Sequence, residues 1–85
     1  MHIKYLTNMK TDMDLRNMSD STQEAYLRRI AIFLEDVKKD ILSISVDDIR
    51  KYIIYLKDDK KLSIGTIKAY ISAIRFFYTI TLEKE

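Results

Sequence analysis

The sequence predicts a compact all-α domain of four helices, and three observations support this prediction. Proline is absent and glycine occurs once, at Gly65, so the chain lacks the turn residues that strands and tight hairpins need. Hydrophobic residues make up 47% of the 85 residues and charged residues 33%, a balance typical of a globular chain. The apolar residues recur at helical spacing. A chain of this length buries one core, so a single domain is expected over residues 1–85.

Serine residues mark the starts of three of the helices, because a serine hydroxyl can accept a hydrogen bond from a free amide of the first turn. Ser19 and Ser21 both offer a cap for the second helix, and Ser21 with Glu24 fits a capping box. Ser45 with Asp48 repeats that pattern. Ser63 precedes the last helix. A weaker stripe at the N-terminus, Leu6, Met9 and Met13, predicts a first helix. The four helices are predicted near residues 4–16, 20–39, 46–58 and 64–80.

The charged residues are unevenly distributed along the chain. The net charge is only +2, but residues 60–82 contain four basic residues and no acidic residue. On a helical wheel, Lys68, Ser72 and Arg75 share one flank of the last helix with Thr79. A basic flank and a free helix N-terminus both suit phosphate groups. The same segment is also compatible with an ordinary solvated surface, since lysine and arginine flank the core stripes of most soluble helices.

Candidate contacts with nucleic acid follow from this distribution. Small and hydroxyl residues would let the second helix approach a nucleic-acid backbone, and arginine reaches phosphates or guanine edges. The candidate residues on the second helix are Thr22, Ala25, Arg28 and Arg29. Those on the last helix and the loop before it are Lys60, Lys61, Ser63, Lys68, Ser72 and Arg75.

The residues that most enzyme chemistries need are missing. Cysteine is absent and the one histidine, His2, lies near a terminus, so no metal site and no cofactor are expected. The paired acids at residues 47–48 and 58–59 read as solvated surface, and no glycine-rich loop could hold a nucleotide. Most tyrosines fall on apolar stripes and are assigned to packing. The longest apolar runs are five residues, which excludes a membrane span and favours a cytoplasmic protein.

Three segments together resemble a known family. Residues 16–22 (RNMSDST) with Tyr26 resemble the opening motif of the tyrosine recombinases, the family of phage integrases and Xer-type site-specific recombinases. Residues 44–52 (ISVDDIRKY) resemble the next element, and residues 62–78 (LSIGTIKAYISAIRFFY) resemble the third. The order and spacing are kept from about Leu6 to Ile80. The match is to the N-terminal SAM-like core-binding domain.

This resemblance implies a SAM-like orthogonal bundle whose second and fourth helices face duplex DNA. It places Ser21, Thr22 and Ala25 at contact positions opening helix 2, and Ser63 and Lys68 at contact positions opening helix 4. The implied partners are double-stranded DNA, the catalytic domain of the same recombinase and other recombinase protomers, in a bacterial or phage-encoded, nucleoid-associated protein. The nucleophilic tyrosine of the family lies in the catalytic domain, which this chain lacks, so the chain alone is expected to cut nothing.

Two other functions remain open at the level of sequence. The chain could be a helical protein-interaction module for recombinase assembly, because Ile54, Tyr55 and Phe76 lie off their apolar stripes and could dock a neighbour. They could equally be ordinary exposed apolar residues. The chain could also be a small stand-alone DNA-binding regulator. The five-residue link before helix 4 lacks the usual turn glycine, which disfavours a helix-turn-helix.

Overall fold

Four α-helices account for most of the structure, a computed structural model that describes residues 3–82. A short 3₁₀-helix, Ile41–Ser43, precedes α3, and a π-helical turn, Phe77–Thr81, continues α4. The described residues contain no strand, as predicted, and His2 lies outside them. The α-helices are α1 (Ile3–Leu15), α2 (Asp20–Val37), α3 (Val46–Asp58) and α4 (Ile64–Phe76).

Serine caps begin α2, α3 and α4, and the α2 cap is one of the two serines predicted for that end. Ser45 and Asp48 form the predicted capping box, with each side chain accepting from the other residue's backbone amide at 3.1 and 2.9 Å. The predicted box of Ser21 with Glu24 is wrong. Ser19 caps α2 instead and accepts from the amide of Thr22 at 3.3 Å. Two serines compete for this end, and the one placed two residues earlier has the extended backbone that a cap needs.

Helix α2 ends two residues earlier than predicted, because the backbone reverses at Lys38. This residue has a φ of 55° and its amide donates to the carbonyl of Leu34 at 3.3 Å. Asn17 and Lys61 take the same left-handed conformation after α1 and α3. Glycine usually fills such positions. The chain therefore makes its turns with residues that bear side chains, which is why its single glycine is compatible with four short-linked helices.

The core receives side chains from all four helices and from both short helical segments. Phe33 of α2 meets Tyr52 of α3 edge-to-face at 5.0 Å, and Tyr52 meets Tyr70 of α4 at 6.1 Å. Phe77, in the π-helical turn, lies against Tyr5 of α1 at 6.4 Å. The largest fully buried side chains are Phe33, Phe77, Met9, Met13, Ile30, Leu34 and Leu56. One continuous cluster therefore joins α1 to the π-helical turn.

Helices α2 and α4 pack against each other and run in opposite directions. Tyr26, early in α2, meets Phe76 at the end of α4 edge-to-face at 6.0 Å. Arg29, farther along α2, lies 5.6 Å from the ring centre of Tyr70, farther back along α4. Phe76 also lies beneath the guanidinium of Arg16 at 5.7 Å. Phe76 therefore packs against the core and is not an isolated exposed residue, because α2 closes over the flank of α4 on which it sits.

Candidate DNA-binding surface

Helix α4 and the π-helical turn that continues it present an exposed polar ridge to solvent. Lys68, Ser72, Arg75 and Thr79 are all exposed, as the helical wheel predicted, and we call them the α4 ridge. The Thr79 hydroxyl donates to the carbonyl of Arg75 at 2.7 Å, so it is occupied within the helix. No hydrogen bond or ion pair among residues 3–82 engages the Lys68 amine or the Arg75 guanidinium. Two cations on this ridge are therefore available to an anion.

One edge of α2 carries three more of the predicted residues. Thr22, Ala25 and Arg29 are half-buried there, and we call them the α2 edge. The contacts of Tyr26 and Arg29 with α4 show that this side of α2 adjoins α4. Ser21 and Arg28 are exposed on the adjoining outer face of α2. The predicted residues of α2 therefore lie on a helix that packs directly against α4.

The side chain of Arg29 is held in place. Its guanidinium stacks over Tyr70, and Nη1 donates to the carbonyl of Ala25 at 3.4 Å. Its Nε is buried and has no hydrogen-bond partner in the described part of the chain. A cation over an aromatic ring is attracted by the ring electrons, and the planar group is then fixed in orientation. Sequence placed Arg29 on this surface without indicating that α4 would restrain it.

The two helix starts on this surface have the same construction. Ser19 donates to the Thr22 hydroxyl at 2.9 Å and Ser63 donates to the Thr66 hydroxyl at 3.0 Å, while each serine accepts an amide of the first turn. Each start thus uses a serine and a threonine three residues later. Lys60 and Lys61 are exposed in the loop that precedes Ser63.

The predicted residues form a band across the domain and not one patch. Ser21 and Thr22 lie near the end of α4, because Tyr26 contacts Phe76. Ser63 begins α4, whose 13 residues span about 20 Å. The two helix starts therefore lie at different ends of the α2–α4 surface, with the α4 ridge between them.

Comparison with known proteins agrees with this architecture. The family profile described as "Phage integrase, N-terminal SAM-like domain" matches residues 5–85. The chain belongs to this family. It is 40% identical over 77 residues to the protein named "Putative integrase/recombinase y4qK" of Sinorhizobium fredii, a match that covers 91% of this chain and 25% of that protein. A second S. fredii protein with the same description, y4eF, is 49% identical over 39 residues, covering 46% of this chain and 16% of that protein. No solved structure matches significantly.

The chain therefore spans about a quarter of the length of the first of these relatives. The resemblance seen in the sequence is confirmed, and so is the four-helix SAM-like fold. Within residues 3–82 no helix is long and apolar enough to cross a membrane. The same residues contain no cluster of three side chains that could hold a metal ion.

One buried polar residue of this SAM-like domain was missed by sequence analysis. Gln23 is only 3% exposed, and its Nε2 donates to the carboxylate of Asp14 and to the carbonyl of Met18, both at 2.9 Å. This bond to Asp14 is the main reason that the pKa of Asp14 is lowered. Gln23 thereby ties the start of α2 to the end of α1. Its position on the apolar stripe, seven residues before Ile30, was the available signal.

Two tyrosines of the integrase domain are occupied by structural hydrogen bonds. Tyr52 donates to Asp36 at 2.8 Å, and burial together with this bond raises its pKa. Tyr78 donates to the carbonyl of Ile41 at 3.0 Å, and burial raises its pKa to about 12. A nucleophilic hydroxyl must reach its substrate, and a lowered pKa helps to activate it. Both side chains are buried and have raised pKa values, which supports their assignment to packing.

Proposed function

We propose that this domain binds duplex DNA through α2 and α4 as the non-catalytic N-terminal part of a site-specific recombinase. The α4 ridge and the lysines before Ser63 would contact phosphates. The α2 edge, with Ser21 and Arg28, would lie in or beside a groove. Such a domain supplies grip and part of the site recognition, while a catalytic domain elsewhere in the recombinase performs strand exchange. Duplex DNA, that catalytic domain and other protomers are the proposed partners.

The observation that carries this proposal is the charge of residues 60–82, the segment that contains the α4 ridge. From residue 60 to 82 every charged side chain is basic, and the described cations there have no acidic partner. The other helices carry acidic residues among their basic ones, and Lys10, Lys39 and Lys51 each pair with an aspartate. Unpaired cations on an exposed helix suit a polyanion, because binding releases the counterions that DNA holds.

Charge reversal on the α4 ridge tests this proposal. The variant Lys68→Glu with Arg75→Glu should bind a fluorescently labelled duplex about tenfold or more weakly at about 20 mM salt. Anisotropy measured between about 20 and 150 mM salt gives the slope of log affinity against log salt. Loss of two phosphate contacts should make this slope shallower by about 1.8.

A matched control separates local contact from net charge. Lys4→Glu with Lys57→Glu changes the net charge equally at two exposed lysines on α1 and α3. At about 150 mM salt, where the Debye length is about 8 Å, this control should keep affinity within about twofold of the wild type. Equal losses in both double variants, with helicity by circular dichroism unchanged, would contradict the assignment to α2 and α4.

A further inference from the structure

A second surface, formed by α3 and α4, has a different character. The two helices enclose an open groove of about 660 Å³, which we call the α3–α4 groove. Seven of its nine lining residues are apolar or aromatic, and the other two are Arg50 and Arg75. We propose that this groove binds an amphipathic helix of a protein partner that carries carboxylates beside its apolar face.

Exposed apolar side chains give the first reason. Val46 is 66% exposed, Ile54 is 57% exposed and Ile71 is 36% exposed, and all three line the groove. Single exposed apolar residues are common, whereas a contiguous set in a concave surface marks a binding site. In the sequence, Ile54 lies off the apolar stripe that faces the core. In the structure, it is one of the exposed apolar residues that line the groove.

The dimensions of the groove select a helix as the occupant. On α3 the lining runs from Val46 to Ile54, a span of about 12 Å along the axis. Helices that lie in apolar grooves use anchors at positions i, i+3, i+4 and i+7, which span about 10 Å. The α3–α4 groove therefore has room for one such set of anchors.

The charges select the chemistry of the partner. Arg50 and Arg75 are the charged residues of the lining, and neither guanidinium forms a hydrogen bond or ion pair with any residue from 3 to 82. The nearest acids on α3 are engaged elsewhere, since Asp47 pairs with Lys51 at 3.4 Å and Asp48 pairs with Lys39 at 3.0 Å. Carboxylates on the partner would supply the missing counter-charges. DNA fits this surface poorly, because protein surfaces that bind DNA are polar.

Binding of a synthetic peptide tests this proposal. The probe is a labelled helical peptide of about 14 residues, or roughly four turns, with leucines at i, i+3, i+4 and i+7 and glutamates on both flanks. We expect saturable binding by fluorescence anisotropy, and at least about tenfold weaker binding of a twin peptide with lysine in place of glutamate. Absence of binding up to about 1 mM, or equal binding of both peptides, would overturn the proposal.

Variants of the domain locate the binding site. Arg50→Glu and Ile54→Gln should each weaken binding of the acidic peptide about tenfold, because the first removes a charged contact and the second an apolar one. Leu15→Gln and Lys4→Glu, both at exposed residues of α1, are the controls and should leave affinity within about twofold. Circular dichroism checks that all four variants are folded. If the control variants weaken peptide binding equally, the peptide does not bind in the α3–α4 groove.

Two rival occupants are separated by the same variants. Dimerisation in sedimentation that is abolished by Ile54→Gln would assign the groove to a second copy of this chain and overturn the proposal. If Ile54→Gln weakens binding of duplex DNA as much as Lys68→Glu does, the groove belongs to the DNA-binding surface, and the proposal is again overturned. We expect neither result, so the groove and the DNA-binding surface can fail independently.

Discussion

At the scale of single residues, two tyrosine hydroxyls join parts of the chain that are far apart in sequence. Tyr78 donates to the buried carbonyl of Ile41, whereas Tyr52 donates to Asp36, which is exposed. Removing a donor costs more where water cannot replace it. We expect Tyr78→Phe to lower the free energy of unfolding by about 1–2 kcal/mol, and Tyr52→Phe by less.

Urea unfolding measures both changes, and Tyr55→Phe is the control. The Tyr55 ring lies near Tyr52, but no hydrogen bond of its hydroxyl occurs among the described residues. Its variant should unfold at the wild-type midpoint. If Tyr52→Phe proves more destabilising than Tyr78→Phe, burial of the acceptor is not what sets these energies.

The capping box of α3 predicts a specific response to acid. Hydrogen bonds from the Ser45 backbone and from Lys39 lower the pKa of Asp48 to about 2, from an ordinary value of 3.8. A lowered native pKa means that the carboxylate stabilises the fold above about pH 4 and that this contribution is lost as the pH falls toward 2. Thermal unfolding between pH 5 and 2 should therefore show a smaller decline in Tm for Asp48→Asn than for the wild type.

Asparagine keeps an oxygen that can accept from Ser45, so this variant tests the charge and not the cap. Asp58→Asn, at the other end of α3, removes one carboxylate without touching a cap and should keep the wild-type decline. An unchanged decline in Asp48→Asn would show that the acid response originates elsewhere in the chain.

At the scale of helices and turns, the left-handed residues that follow the helices are a source of strain. Lys38 holds a φ of 55°, which costs a residue with a side chain about 1–2 kcal/mol relative to a right-handed conformation. Lys38→Gly should therefore raise the free energy of unfolding by about 1 kcal/mol. Lys38→Ala removes the same amine but keeps the strain, so it should show no gain in urea unfolding. Equal stabilities of the two variants would contradict this account.

The single glycine offers a second test, at the start of α4. A Cβ atom added at Gly65 would meet no atom within 4 Å outside its chain neighbours and its own helix backbone, and its φ is not positive. Gly65→Ala should therefore stabilise the domain by about 0.5–1 kcal/mol in urea unfolding, because alanine favours the helix. Destabilisation would show that the first turn needs glycine for its own conformation. Weaker duplex binding alongside the higher stability would indicate a close approach of DNA to this turn.

The bounds of a helix were predictable where the capping residues and the apolar stripe indicate the same start and end. The bounds of α3 matched, because Ser45, Asp48 and the apolar stripe agree on one helix start. The end of α2 was misplaced, because the left-handed turn falls on Lys38 and not on a glycine. Helix α4 was predicted to run to residue 80, but the hydrogen bonding changes to a π-helical turn at Phe77. Tertiary packing of Phe77 and Tyr78 accompanies that change, and no periodicity of the sequence signals it.

At the scale of the whole molecule, the candidate site was predicted in its composition but not in its arrangement. The α4 ridge follows from helical spacing alone, since its four residues recur every three or four positions. The restraint of Arg29 by Tyr70 and the separation of Ser21 from Ser63 depend on how α2 crosses α4. Apolar stripes show which faces are buried, but they do not fix that crossing.

The two proposed surfaces meet at Arg75, which belongs to the α4 ridge and also lines the α3–α4 groove. Duplex DNA and the acidic helix would therefore compete for the Arg75 guanidinium, and each should weaken binding of the other.

The most direct test of the central claim is an NMR titration of the ¹⁵N-labelled domain with a random duplex at low salt. The account predicts that amide shifts concentrate at residues 21–29 of α2 and at residues 60–79, across the band that includes the α4 ridge. Amides of α1 and of the exposed face of α3 should move little. Shifts that concentrate on α1 or α3, or saturable binding that leaves α4 unperturbed, would contradict the assignment of DNA binding to α2 and α4.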